Sequence, residues 1–272
     1  MEILKINKLE RLVGNGCTEP MYASAQDKKV IVKAFNNQQG NRVLINELIN
    51  YYIAKQIGLK VPPSGVCEID AHTNVNEAIY KSSEFSDKNY GFGFYSTYLK
   101  DMTVVNSHKI IMYAQNYKKL IPTTMIFDHL IYNADRNKGN LLIKITKANK
   151  ELFIIDHTHT FNKQCIWDSY SLTQCMEDKD VEDLEIMKGN AYIYGMFYRA
   201  MDINLSVLEE TKAIFESKLN KTFFQEIVKA IPEEWGLDGK DKIVLPQYLN
   251  YRLNNIDKFI DIILNYDFKV RR

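Results

Sequence analysis

Asn140 and Asp156 bracket two short apolar runs, Leu141 to Ile145 and Leu152 to Ile155, joined by a Lys/Asn turn. A hairpin centred on Ala148 sets position 140 opposite position 156, with Cβ atoms roughly 4.5–5.5 Å apart. An amide oxygen and a carboxylate at that spacing suit one hard cation, magnesium above all. Asp135, five residues upstream in Asn133-Ala134-Asp135-Arg136-Asn137-Lys138-Gly139-Asn140, can reach the same point without being a ligand and accept a proton from an attacking hydroxyl. This is the equipment of phosphoryl transfer, and it needs a second half that holds phosphates. Lys33 lies in Lys29-Val30-Ile31-Val32-Lys33-Ala34-Phe35, which is apolar on both faces, and Glu47 shares an apolar helical stripe with Leu44 and Tyr51. Each charge alone would be costly to bury, and each relieves the other. A lysine so held can reach the phosphates of a nucleotide, with Gly14-Asn15-Gly16-Cys17-Thr18 as the loop closing over it.

The elements that must position these residues can be read from periodicity. Residues 29–35 form a central strand, rich in β-branched side chains. A helix runs between Gly40 and Gly58, stopped by that glycine and by Pro62-Pro63. Glu77-Ala78-Ile79-Tyr80 and the aromatic stretch 90–95 read as short strands, with the crossing to a second lobe near the latter. Pro122 opens a helix through Phe127 and Leu130. Beyond Val181 the chain reads as helices over 183–201, 205–231 and 245–266, broken at Pro232 and Gly236. The expected fold is therefore α+β and two-lobed: a mixed α/β lobe over 1–97 and a mostly helical lobe over 98–272, together one domain of the protein-kinase type. Taken singly, the Asp135 run is a turn-rich connection, Lys33 could snorkel from a sheet edge, and Glu47 could face solvent. Their order along the chain is what argues for a nucleotide site.

Composition narrows the field. With 272 residues, 46% hydrophobic and 25% charged, the chain is neither disordered nor fibrous. A net charge of +1 provides no general attraction for nucleic acid or anionic membrane, and neither is expected as a partner. The four cysteines, Cys17, Cys67, Cys165 and Cys175, form no C-x-x-C pair, so a reducing cytoplasm fits better than a disulfide scaffold or a zinc ribbon. No apolar block has signal-peptide or membrane-spanning length. The aromatic residues Tyr51, Tyr52, Tyr192, Tyr194, Phe197 and Tyr198 recur at helical spacing, which reads as packing rather than a base-stacking surface.

The run from Val32 to Glu47, with Phe94-Tyr95-Ser96-Thr97-Tyr98-Leu99, the segment Asn133 to Leu142, Ile155-Asp156-His157, Ile231-Pro232-Glu233-Glu234-Trp235 and Tyr248 to Leu253, resembles the HipA-like kinases over nearly the whole chain. The resemblance implies an ATP- and magnesium-dependent serine/threonine protein kinase, with Lys33 on the phosphates, Glu47 orienting it, Asp135 as base, and Asn140 with Asp156 on the metal. It also implies a protein substrate and allows a regulatory partner protein. Two positions depart from related patterns. Asn137 stands where HipA and the phosphoinositide kinases usually have histidine, and His157 follows Asp156 where many kinases have Phe-Gly. Three alternatives remain: a phosphoinositide-type lipid kinase, a pseudokinase that binds nucleotide or a partner without catalysis, and a metallohydrolase built on His157-Thr158-His159 with Asp128-His129.

Overall fold

The computed structural model describes residues 2–14, 18–82 and 85–267. The first part of the chain gives strands β1 (Leu4–Lys5), β2 (Lys8–Leu12), β3 (Met21–Ala25) and β4 (Lys28–Lys33), helix α1 (Arg42–Ile57), strands β5 (Ser64–Ile69) and β6 (Asn74–Val75), helix α2 (Glu77–Lys81) and strand β7 (Gly91–Thr97). The strands form one seven-stranded sheet in the order β1-β5-β7-β4-β3-β2-β6. β4 is thus central, as its β-branched run predicts. Val30 and Val32 point to one face, into a core with Leu9, Met21 and Ile69. Lys33 pairs with Phe94 of β7 and shares the opposite face with it. That face is covered by α1, which packs on β5 and β7 and, on its other side, on helices of the second half. Eleven of its sixteen residues are buried, Glu47 among them, because the helix has neighbours all round. Gly58 ends it in the left-handed conformation, φ 76°, at no Cβ cost.

One expectation fails in this half. Residues 77–80 are helical, because Asn76 caps Ala78 N–H and starts a turn that a four-residue apolar pattern cannot distinguish from a strand. The aromatic stretch is a strand as expected, β7, and the chain leaves the first sheet at its end, Thr97.

The chain continues with β8 (Met102–Val104), α3 (His108–Tyr113), α4 (Tyr117–Leu130), the hairpin β9 (Leu141–Ile145) and β10 (Lys150–Ile154), then α5 (Ser169–Glu177), α6 (Glu185–Gly189), α7 (Ala191–Ala200), α8 (Leu205–Lys218), α9 (Lys221–Lys229), α10 (Gly239–Asn254) and α11 (Ile256–Asn265). The second sheet has the order β10-β9-β8. Pro122 lies inside α4, five residues after its start, where it forgoes one helical hydrogen bond in a helix held by burial. The expected span 205–231 is two helices, since Asn220 caps the N–H of Phe223 and restarts the chain as α9. Residues 183–201 likewise divide at Asn190, and α10 begins at Gly239 rather than 245, capped by Asp238 on Asp241 N–H, with Pro246 inside it. Cys67, Cys165 and Cys175 are buried as thiols. Among the described residues no helix is long and apolar enough to cross a membrane.

Candidate active site

Strand β4 ends at Lys33 and helix α1 lays Glu47 against it, so that ammonium and carboxylate meet in a hydrogen-bonded ion pair. The two residues are 7% and 5% exposed, which satisfies the requirement that neither be buried alone. A third residue arrives from far along the chain. Asp156 follows β10, and its Oδ1 accepts from the same Lys33 Nζ at 3.0 Å. Thr158, 1% exposed, completes the cluster: its Oγ1 lies 2.5 Å from Lys33 Nζ, 2.7 Å from Asp156 Oδ1 and 2.9 Å from Glu47 Oε1. Burial would raise the Asp156 pKa, but Lys33 and the hydrogen bond from Thr158 prevail and hold the carboxyl well below the usual range. Burial likewise opposes the Lys33 charge, and the charges of Asp156 and Glu47 more than restore it. Glu47 is raised, first by burial and then by the Asp156 charge, with Lys33 pulling against both. One ammonium against two carboxylates gives the cluster a formal charge of −1.

The hairpin differs from expectation by one residue. Leu141 pairs with Ile154, and Ile155 N–H donates to Asn140 O, so Asn140 stands opposite Ile155 and not opposite Asp156. The turn Thr146–Asn149, closed by the Thr146 N–H to Asn149 O bond, has an even number of residues, and its centre falls between 147 and 148. A one-residue slip in a regular strand sends a side chain to the wrong face. Asp156 avoids this by leaving the strand with φ 57°, a left-handed conformation that aspartate tolerates better than most residues, and this turns its carboxylate to Lys33. Asn140 Nδ2 donates to Asp135 O at 2.9 Å, which leaves Oδ1 uncommitted among the described residues. An uncommitted amide oxygen and a 40%-exposed carboxylate are hard donors of the type magnesium prefers, in a cluster whose net charge favours a cation. The residues present fit the metal.

Asp135 makes no hydrogen bond to the Lys33 cluster among the described residues; it is half-buried, with Oδ1 accepting from Asn137 Nδ2 at 3.0 Å. What ties it to the rest is Arg136. This buried guanidinium pairs with Asp128 of α4 at 2.7 Å and donates through Nη1 to Asn140 O and Ile155 O, linking the loop to both ends of the hairpin. Asn190 Oδ1 accepts from Arg136 N–H, and its Nδ2 donates to Asn133 O. Gly14 and Thr18 lie at the connection between β2 and β3, and Asn37 Nδ2 donates to Thr18 O at 2.6 Å. Among the described residues neither hydrogen-bonds to the Lys33 cluster. Asn15, Gly16 and Cys17 of the same loop lie outside the described residues.

The model of the HipA-like kinase family matches residues 6–270. This chain belongs to the HipA-like kinase family. Among solved structures, the Helicobacter pylori proinflammatory kinase CtkA is similar in fold, with TM-score 0.60 and 12% identity, covering 98% of this chain and 100% of that one. HipA of Shewanella oneidensis MR-1, solved with HipB and operator DNA, gives TM-score 0.46 and 12% identity over 94% of this chain and 68% of that one. No curated protein sequence matches the chain. The two-lobed, kinase-like α+β fold follows.

Several residues of this HipA-like kinase hold places that their sequence context did not suggest. Asp128 lies in the apolar run Phe127-Asp128-His129-Leu130, where the argument that paired Lys33 with Glu47 would also have demanded a cation for it, and Arg136 is that cation. The carboxylate so engaged is not a metal ligand, and His129 Nε2 faces Met187 Sδ at 3.5 Å. His157 is buried edge-on to Phe127, its Nε2 without a hydrogen-bond partner among the described residues. Residues 157–159 are not a strand, and among the described residues no three His, Cys, Asp or Glu side chains converge as a zinc site requires. The hydrolase alternative therefore loses its geometric basis. Asn46 and Asn50, one helical turn apart on α1, flank Glu47. Asn46 Nδ2 donates to Thr158 O at 2.6 Å, and Asn50 Nδ2 to His157 O at 3.1 Å. They clamp the segment after Asp156 to the helix that carries Glu47, and nothing in their residue type announces it.

Proposed function

We propose that this protein is an ATP- and magnesium-dependent phosphotransferase whose acceptor is a serine or threonine hydroxyl on a protein, acting in the cytoplasm. The observation that carries the reading is a single ammonium, Lys33, bonded at once to Glu47 and Asp156, residues 14 and 123 positions away. A buried Lys33–Glu47 pair with a partly exposed Asp156 on the same ammonium, drawn from a strand, a helix and a hairpin exit, has little use for stability alone, since a buried ion pair is a weak stabiliser. It has a use where phosphate oxygens must be gripped.

In this reading the lobes divide at residues 97 and 98. Lys33 binds nucleotide phosphate oxygens and Glu47 keeps the ammonium in position. The loop Gly14, Asn15, Gly16 and Thr18 covers the nucleotide with backbone N–H groups. Asn140 Oδ1 and the Asp156 carboxylate are the groups that would hold magnesium, which when bound neutralises charge on the phosphates. Asp135 orients the acceptor hydroxyl and takes its proton, while Arg136 holds the loop in register with both metal-side residues. That CtkA is called a kinase, at a similarity extending over both whole chains, supports the class of activity.

Incubation with γ-labelled ATP and magnesium, alone and with cell extract, tests the reading, and label on protein is the expected result. Label in the lipid fraction would replace the acceptor class. A protein that transfers no label and whose melting temperature does not respond to magnesium nucleotide would overturn the reading, because binding at a hundredfold excess over Kd must stabilise the fold by about 2.7 kcal/mol.

A further inference from the structure

The Lys33 ammonium has three N–H donors. Among the described residues they are matched by three acceptors: Glu47 Oε1, Asp156 Oδ1 at 3.0 Å and Thr158 Oγ1 at 2.5 Å. A phosphate oxygen can gain a hydrogen bond from Lys33 only if one of these is given up. Asp156 is the partner able to leave, since its side chain is 40% exposed whereas that of Glu47 is 6%. Thr158 cannot follow it. It is 1% exposed, and its carbonyl is pinned by Asn46 Nδ2, so its remaining freedom is rotation of the hydroxyl. That hydroxyl carries one proton and has two carboxylate acceptors in reach, Asp156 Oδ1 at 2.7 Å and Glu47 Oε1 at 2.9 Å. It serves one of them at a time.

Building on the phosphotransfer reading above, we propose that Thr158 is a positioning residue that releases Asp156 to the metal: its hydroxyl donates to Asp156 in the free site and swings to Glu47 when magnesium nucleotide binds. Throughout the exchange Thr158 Oγ1 keeps accepting from Lys33, so the Lys33–Glu47 pair stays fixed while the third lysine donor passes from Asp156 to phosphate. Only hydrogen bonds change, and no proton leaves the cluster.

Thr158→Val keeps the side-chain shape and removes the hydroxyl. Lys33 then has two carboxylate acceptors and one donor to spare, and Asp156 becomes its necessary partner. The measurement is calorimetric titration of ADP at a series of magnesium concentrations and without magnesium. The valine variant should need about tenfold more magnesium for half-maximal tightening, the magnitude expected of one lost charge-assisted hydrogen bond, while its metal-free ADP affinity does not fall. Thr158→Ser should restore the wild-type magnesium dependence. A valine variant identical to wild type overturns the proposal, as does a serine variant that behaves like valine, or weakening by the same factor with and without magnesium, which would mark a packing role. Should the valine protein fail to fold, Thr158→Ala against Thr158→Ser gives the same comparison. Wild-type protein without magnesium-dependent nucleotide binding would sink this proposal and the phosphotransfer reading together; magnesium-dependent binding that Thr158→Val leaves unaltered sinks this one alone.

Discussion

Asp135 holds its loop through groups that an asparagine retains: its backbone carbonyl accepts from Asn140, and its Oδ1 accepts from Asn137. Asp135→Asn should therefore leave the melting temperature and nucleotide affinity close to wild type while removing the base. Turnover of labelled ATP should drop roughly 10²- to 10⁴-fold, the usual contribution of a general base. Unchanged turnover would end the assignment. Lys33 behaves differently, because it compensates two carboxylates at once. Lys33→Met leaves Glu47 and Asp156 facing each other without a cation, at a cost of about 3–5 kcal/mol, and should abolish the thermal shift with magnesium nucleotide. Glu47→Gln keeps the shape and an acceptor oxygen and should act more on turnover than on binding. These two residues were legible in sequence because a charge within an apolar pattern demands a partner. Thr158 was not: a hydroxyl is at home in any environment, and only the distances reveal that three ionic groups share it.

At the scale of elements, strand β4, helix α1 and the hairpin strands were legible from their apolar patterns. The hairpin register was not, because one residue more or less in a polar turn leaves the pattern of both strands unchanged while altering who faces whom. Nor could periodicity show that α6 fixes the Asp135 loop. A Cβ built on Gly189, the last residue of that helix, would stand 2.2 Å from Ala134 O, one residue before Asp135. The obstacle is backbone and cannot rotate away. Gly189→Ala must therefore push the loop outward, while Asn190 beside it still grips Asn133 and Arg136. The expected outcome is destabilisation of about 1–3 kcal/mol, as for overpacked cores, with turnover falling more than nucleotide affinity, since Lys33 and Glu47 lie on other elements. Melting temperature, kcat and calorimetric Kd for ADP measure the three effects. Wild-type values in all of them would mean that the loop is not held by this contact.

The molecule as a whole is also tied together by contacts outside the Lys33 cluster. Arg42 at the start of α1 pairs with Asp241 of α10, and the Phe92 backbone of β7 is hydrogen-bonded by Glu234 and by Trp235 Nε1. A lobe-sized division could be read from the change in texture along the chain. These ties could not, because they join residues 199 and 142 positions apart. The helical part holds a third buried ionic group, in which Arg252 of α10 pairs with Asp180 and donates to the backbone carbonyl of His129. The His129 ring is buried between Met187 of α6 and Phe259 of α11. Burial, and then the Arg252 charge, push its pKa down to about 3. His157, buried and near Arg136, is also held well below 6.5. A histidine kept neutral in the fold is protonated more readily in the unfolded chain. From about pH 6.5 downward the unfolded state takes up the proton first, and stability falls by up to about 1.4 kcal/mol per pH unit for each such residue. For His129 the loss continues until pH approaches its folded value near 3. Carboxylates whose pKa is lowered in the fold, Asp156 among them, act in the same direction but only near and below their unfolded pKa of 3.8. Glu47, raised in the fold, acts in the opposite direction between pH 6.5 and 4.5, but equally in wild type and in a His129 variant, so comparing the two proteins over that interval isolates His129. His129→Phe keeps an aromatic ring against Phe259 and leaves the carbonyl that Arg252 uses. Its urea midpoint should decline with a shallower slope than that of wild type across that interval. Parallel slopes in the two proteins would show that neutral burial of His129 is not what makes this fold sensitive to acid.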